Sequence, residues 1–232
     1  MRDYIMVTCE HGGNRIPVEY ADLFRGWHAV LRTHRAYDAG ALIMARDLAV
    51  VLRAPLVVSR VSRLLIDLNR SLSNRHAWSD LTRTLPSAEK QSLVLRHYAP
   101  YRGRVAALVA EGVAAGHRVL HLSSHSFTPV LDGRVRTADV GLLYDPARSG
   151  EVALATRWKN AFAEQAPELL VRRNYPYAGR NDGLTSFLRR RFSPGRYVGM
   201  EIELNQALVH AGARQWRQLR HAVITTLQAA LR

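Results

Sequence analysis

Short apolar runs alternate with longer stretches of helical period along this chain, and that alternation limits what it can fold into more than any other feature. Tyr4–Cys9 (YIMVTC), Leu56–Ser59, Leu64–Leu68, Arg118–Ser123 (RVLHLS), Val140–Tyr144 and Tyr197–Leu204 (YVGMEIEL) read as strands from their length and apolar content. His34–Arg53 carries Ala41, Leu42, Ala45, Leu48, Ala49 and Leu52 at helical spacing. Ser87–Ala115 opens on a serine cap and stops at Gly116, and Gly150–Glu164, Asn181–Arg191 and Ala213–Arg232 complete the predicted helices. Strands and helices in turn imply an α/β fold whose mainly parallel or mixed sheet is covered on both faces. Ligands of such folds collect at the carboxyl ends of strands.

No repeat, low-complexity segment or Ser/Gly/Pro-rich linker interrupts the sequence, so one domain, 1–232, is expected. No run of about 18 apolar residues occurs, which argues against a membrane span. The N-terminal MRDYIMVTCEHGG has too short an apolar stretch for a secretory signal, and a cytoplasmic compartment is the expectation. Cys9 is the only cysteine, which excludes an internal disulfide and a multi-thiolate metal site. The sequence assigns no oligomeric state.

The formal charge is +14. Such a surplus suits nucleic-acid binding, because basic surfaces release counterions. Its distribution favours a plainer reading. Lysine occurs only at 90 and 159, and the arginines are spread along the chain apart from Arg189–Arg191. Tyr175, Tyr177, Arg180 and Arg189–Arg191 form the best nucleic-acid candidate, without a helix-turn-helix, zinc-finger or RNP signature beside them. Nucleic-acid binding is therefore the weaker alternative, and a small anionic partner the expectation.

Five polar segments carry chemistry. Glu10-His11-Gly12-Gly13-Asn14 follows the first strand, and two glycines let the backbone turn beside an imidazole. His125, in Ser123-Ser124-His125-Ser126, follows another apolar strand. Two histidines at neighbouring strand ends make a clamp for a divalent metal, zinc being suited to imidazole. Ser62–Arg70 (SRLLIDLNR) places Asn69 and Arg70 where a guanidinium can hold a substrate carboxylate, with an Arg63–Asp67 pair as the structural alternative. Glu201 and Glu203 share a strand face, and one of two crowded carboxylates suits a general base. Asn174–Thr185 is an aromatic, turn-rich loop of the kind that lines pockets. No G-x-S-x-G elbow supports a serine nucleophile.

In order, CEHGGNRIP, YDAGA, SRLLIDLNRS, HSFTP, NYPYAGRNDGLT and EIELNQAL resemble the N-formylglutamate amidohydrolase family, whose fold is similar to that of zinc carboxypeptidases and the aspartoacylase group. The resemblance implies a three-layer α/β/α sandwich around a mixed, mainly parallel sheet, of the phosphorylase/hydrolase-like, zinc-carboxypeptidase-like kind, with one zinc ion. His11 resembles the early zinc histidine, His125 the late one, and Glu203 the glutamate that activates water. Asn69 and Arg70 resemble the pair that holds the substrate carboxylate, with Tyr177 beside them and Arg63 or Arg180 free for a second anion or the oxyanion. Two departures stand out. Asn14 occupies the position where the wider superfamily has a glutamate ligand, leaving Asn14, Glu10 or Asp38 as third ligand, with Asp38 favoured. Ser124 stands where relatives often carry an aspartate that orients the imidazole. The implied activity is metal-dependent hydrolysis of a small anionic N-acyl amino acid, N-formyl-L-glutamate being the example. A family member with lost or altered activity is the other alternative.

Overall fold

The computed structural model describes residues 3–232 of the chain. Its strands are β1 (Asp3–Cys9), β2 (Leu56–Val58), β3 (Arg118–Phe127), β4 (Val130–Leu131), β5 (Arg134–Val135), β6 (Val140–Leu143), β7 (Val171–Arg173) and β8 (Tyr197–Asn205). The helices are α1 (Ala41–Leu52), α2 (Ser87–Leu93), α3 (Ala99–Ala114), α4 (Ser149–Gln165), α5 (Leu184–Arg189), α6 (Gln206–His210) and α7 (Ala213–Ala230). Six strands form one mixed sheet in the order β2-β1-β3-β8-β6-β7. β2, β1, β3 and β8 run parallel, and β6 pairs antiparallel with β8. The expected α/β class with a mainly parallel, mixed sheet is the observed one. Among the described residues no helix is long and apolar enough to cross a membrane.

Alternation along the central strands sorts the layers. Leu120 and Leu122 of β3 and Val198, Met200, Ile202 and Leu204 of β8 join one buried cluster with α1, α4 and α7. Trp158 of α4 is wholly buried there, its indole N–H donating to Thr226 Oγ1 at 3.0 Å. Residues of opposite parity face a second layer, where Met6, Val119 and Tyr197 meet α3, α5 and residues 64–68. This second face also carries His121, Ser123, His125, Glu201 and Glu203, all buried. The sheet thus has one oily face and one whose carboxyl-end half is polar.

Four expectations from the sequence change. Leu64–Leu68 is not a strand: Leu65 N donates to Ser62 O and Asp67 N to Ala77 O, so the backbone turns while its apolar side chains fill the second layer. A short apolar run alone does not separate a strand from buried irregular chain. Residues 34–40 are turns, and the helix begins only after Gly40, whose φ of 83° lies outside the helical region. The Ser87–Ala115 helix contains a π-helical turn at Val94–Tyr98, which ends two residues before Pro100, whose ring nitrogen has no hydrogen for the regular ladder. Finally, β3 runs on to Phe127, which puts His125 inside the strand rather than beyond it.

Candidate active site

His11 and His125 arrive from different elements and meet on the polar face. His11 lies in the turn after β1; that turn packs so closely on the chain after β2 that a Cβ at Gly12 would fall 2.8 Å from Ser59 O, and one at Gly13 2.7 Å from Arg60 O. The loop before α1 is pinned between them. Asp38 N donates to His11 O at 2.9 Å, while Ser126 Oγ donates to Ala39 O at 2.7 Å and Ser124 Oγ to Ala41 O at 2.9 Å. These bonds deliver the Asp38 carboxylate to both rings. Its Oδ2 lies 3.3 Å from His11 Nδ1 and 2.9 Å from His125 Nδ1, and the ring centroids are 5.1 Å apart.

Each histidine is held from behind by another buried carboxylate. Asp67 Oδ1 lies 2.7 Å from His11 Nε2, and Glu10 Oε2 lies 3.0 Å from His125 Nε2. Glu10 itself accepts from Tyr101 Oη at 2.8 Å and from Ser123 Oγ at 2.5 Å. With both Nε2 atoms occupied, both Nδ1 atoms face Asp38. One ligand atom from each of His11, Asp38 and His125 lies within 4.8 Å of the other two. Ligand atoms of a tetrahedral zinc site lie roughly 3.3 Å apart, given Zn–N and Zn–O bonds near 2 Å. The observed 2.9 and 3.3 Å separations, and two imidazoles with one carboxylate, fit such an ion.

A cavity of about 120 Å³ opens on this cluster, lined among others by Arg63, Asn69, Arg70, Tyr177, Glu201 and Glu203. Parallel pairing sets Glu203 beside His125 and Glu201 beside Ser123. Glu201 accepts from Thr185 Oγ1 at 2.5 Å, but Glu203 Oε2 is buried with no hydrogen-bond partner. Burial pushes Glu203 up to about 7; His125 and Arg63 oppose the shift, and Glu201 adds to it. Burial also drives His11 down to about 4, helped by Arg63 and against the pull of Asp67. In His125 burial is outweighed by Glu10, with Glu203 and Glu201 contributing, and the ring rises to about 9.

The structure moves several sequence-derived assignments. Arg63 pairs with Asp38, not Asp67, and Asp67 serves His11 instead. Asn14 is no ligand: its Nδ2 donates to Leu31 O at 2.7 Å. Glu10 stands behind His125, not beside Asp38. Ser124 points to the opposite face of the sheet, so it never takes the place of an orienting aspartate. Arg180 is exposed and does not line the cavity. Asn69 lines it, with its Oδ1 accepting from Leu184 N at 2.7 Å, and Arg70 Nη1 donates to Asp182 O at 2.5 Å. Arg189 of the basic triplet is buried against Glu151 at 3.0 Å, leaving Arg190 and Arg191 exposed. Arg136 was not singled out from the sequence. It stacks on Tyr177, 5.0 Å from the ring centre, and fixes that side chain at the cavity mouth.

Comparisons with known proteins bear on the fold and the family. A gene product of Agrobacterium tumefaciens is 33% identical, with a TM-score of 0.84 over 98% of this chain and 90% of its own. An N-formylglutamate amidohydrolase from Ralstonia eutropha JMP134 is 20% identical and shares the fold, with a TM-score of 0.72 over 98% of this chain and 92% of its own. No curated protein matches the chain. Residues 4–210 match the family described as N-formylglutamate amidohydrolase, a family of hydrolases. On that match the chain belongs to the N-formylglutamate amidohydrolase family.

Proposed function

We propose that this protein hydrolyses the amide bond of small anionic N-acyl amino acids, N-formyl-L-glutamate foremost, with one divalent cation, zinc, held by His11, Asp38 and His125. The observation that carries the reading is the convergence of both Nδ1 atoms on Asp38 Oδ2, in the cavity that also holds Glu203 and Arg70. Bound there, zinc supplies a Lewis acid for the amide carbonyl and lowers the pKa of water.

The chain's own residues do the rest. Arg70, steadied by Asp182 O, faces the cavity with guanidinium donors suited to the substrate carboxylate, and Asn69 lies beside it. Glu203 is the proton carrier: its buried, unbonded Oε2 takes a proton from the attacking water and passes it to the leaving nitrogen. A carboxyl near 7 is poised to do both at neutral pH. Arg63 lines the cavity next to Asp38 and stabilises negative charge developing on the carbonyl oxygen. Tyr177 covers the mouth. The test is release of free amino acid from N-formyl-L-glutamate, N-formyl-L-leucine and N-acetyl-L-glutamate, with metal stripped and with zinc restored. Zinc-dependent turnover of the formyl substrates supports the reading, and zinc-loaded protein inert on all three overturns it.

A further inference from the structure

A second concavity adjoins the site. It measures about 360 Å³, within the range of about 300–1,000 Å³ usual for small-molecule pockets. Its lining includes Arg35, Arg63, Asp67, Arg75, Trp78 and Arg83. Arg63 lines the cavity at the candidate active site as well, and Asp67 is the carboxylate behind His11. These two residues are the wall between the two spaces.

The charges in this cleft do not balance. Asp80 pairs with Arg83 and, at 3.4 Å, with Arg35. Asp67 bonds His11 and also attracts Arg63 across the cleft, so four arginines of the lining meet two carboxylates. Arg63 reaches Asp38 through one amino group, while its Nε is buried and donates to nothing. Arg75 is exposed and gives its Nε to the adjacent His76 Nε2 at 3.2 Å; no carboxylate pairs with it among the described residues. Guanidinium forks match the planar geometry of a carboxylate, and Trp78 offers an apolar wall for a short carbon chain.

We propose that this cleft is a second binding site, for a small molecule bearing a carboxylate that Arg75 and Arg63 hold. Its ligand is either a free anion or the far end of an acyl group longer than formyl; the recognising chemistry is the same. Because Arg63 also pairs with Asp38, a ligand in the cleft changes how Asp38 is held. Binding itself goes beyond the hydrolytic reading and does not depend on it.

Succinate is the probe, titrated calorimetrically at low ionic strength into wild type, Arg70→Met and Arg75→Met. Arg75 is exposed, so its replacement leaves the fold intact. The expected result is one succinate site that survives Arg70→Met and weakens at least tenfold in Arg75→Met. Affinity unchanged in Arg75→Met, all binding lost in Arg70→Met, or inorganic phosphate binding as tightly as succinate overturns the proposal. Rates on N-formyl-L-glutamate and on an N-succinyl amino acid then separate the sources. A free-anion site makes succinate change the formyl rate in wild type but not in Arg75→Met. An acyl site makes Arg75→Met lower kcat/KM at least tenfold for the succinyl substrate alone, and both rates unmoved overturns the coupling through Arg63. Absence of any hydrolysis would sink the catalytic reading while leaving the titration decisive for the cleft.

Discussion

Glu10 grips His125 from the side of the ring opposite Asp38: its Oε2 lies 3.0 Å from Nε2, with Tyr101 and Ser123 fixing the carboxylate in turn. A partner of this kind fixes the tautomer and aim of a ligating imidazole, and its loss typically costs 10–100-fold in metal affinity. Glu10→Gln keeps the shape and removes the charge. Zinc affinity by competition with a chelator is therefore expected to fall by about 10–100-fold, and an unchanged value would mean that the carboxylate only packs.

Zinc uptake should expel a proton. At pH 7 His125, raised to about 9, carries a proton that a cation at Nδ1 must displace. Affinity accordingly climbs with pH up to about 9 and levels off above it. Calorimetry in two buffers of different ionisation enthalpy reads the release directly. His125→Ala is expected to lose that proton and at least about a hundredfold in affinity, since a three-ligand site becomes a two-ligand one.

For Glu203 the signature is a split between turnover and metal. Glu203→Gln fills the same space but accepts no proton, so kcat should drop by about 10²–10⁴. Because Glu203 lies outside the His11–Asp38–His125 donor set, zinc affinity should stay within about twofold. A parallel fall in both would make Glu203 a ligand instead.

Away from the cavity, His121 should tie stability to pH. It is wholly buried, with Nε2 2.8 Å from Thr8 Oγ1 and Nδ1 2.7 Å from Tyr197 Oη, and burial pulls it down to about 4. The unfolded chain titrates near 6.5, so between those values it binds more protons than the native state does. Stability is therefore complete above about 6.5 and lost as pH falls toward 4, with about 3 kcal/mol at stake. Urea melts at pH 7.5 and 5 should show wild type losing about 2 kcal/mol more than His121→Gln; equal losses would contradict the assignment.

Much of the candidate site was legible because polar residues interrupt or follow short apolar runs. His11, His125, Glu203 and Arg70 stand out in that way. Asp38 carried a weaker signal, since only loop closure brings residue 38 to residues 11 and 125. Ser124 was misread although the sequence holds the answer: on a strand it cannot face the same way as Ser123 and His125. The Asp132-Gly133 tip of the β4–β5 hairpin, with φ of 49° and 73°, was a readable turn signal as well. The Arg63–Asp38 pair and the edge strand β7, whose sequence is VRR, left no local pattern to find.

The pairing of β3 with β8, which matches His125 to Glu203, also guards assembly. Were β8 to dock one residue out of step, Met200 and Ile202 would turn toward the imidazoles and both glutamates would be driven into oil. Such a product is not half-competent; it is blank. Turnover in a refolded sample would therefore count only the molecules whose sheet has zipped correctly, and the reaction becomes its own inspector of folding.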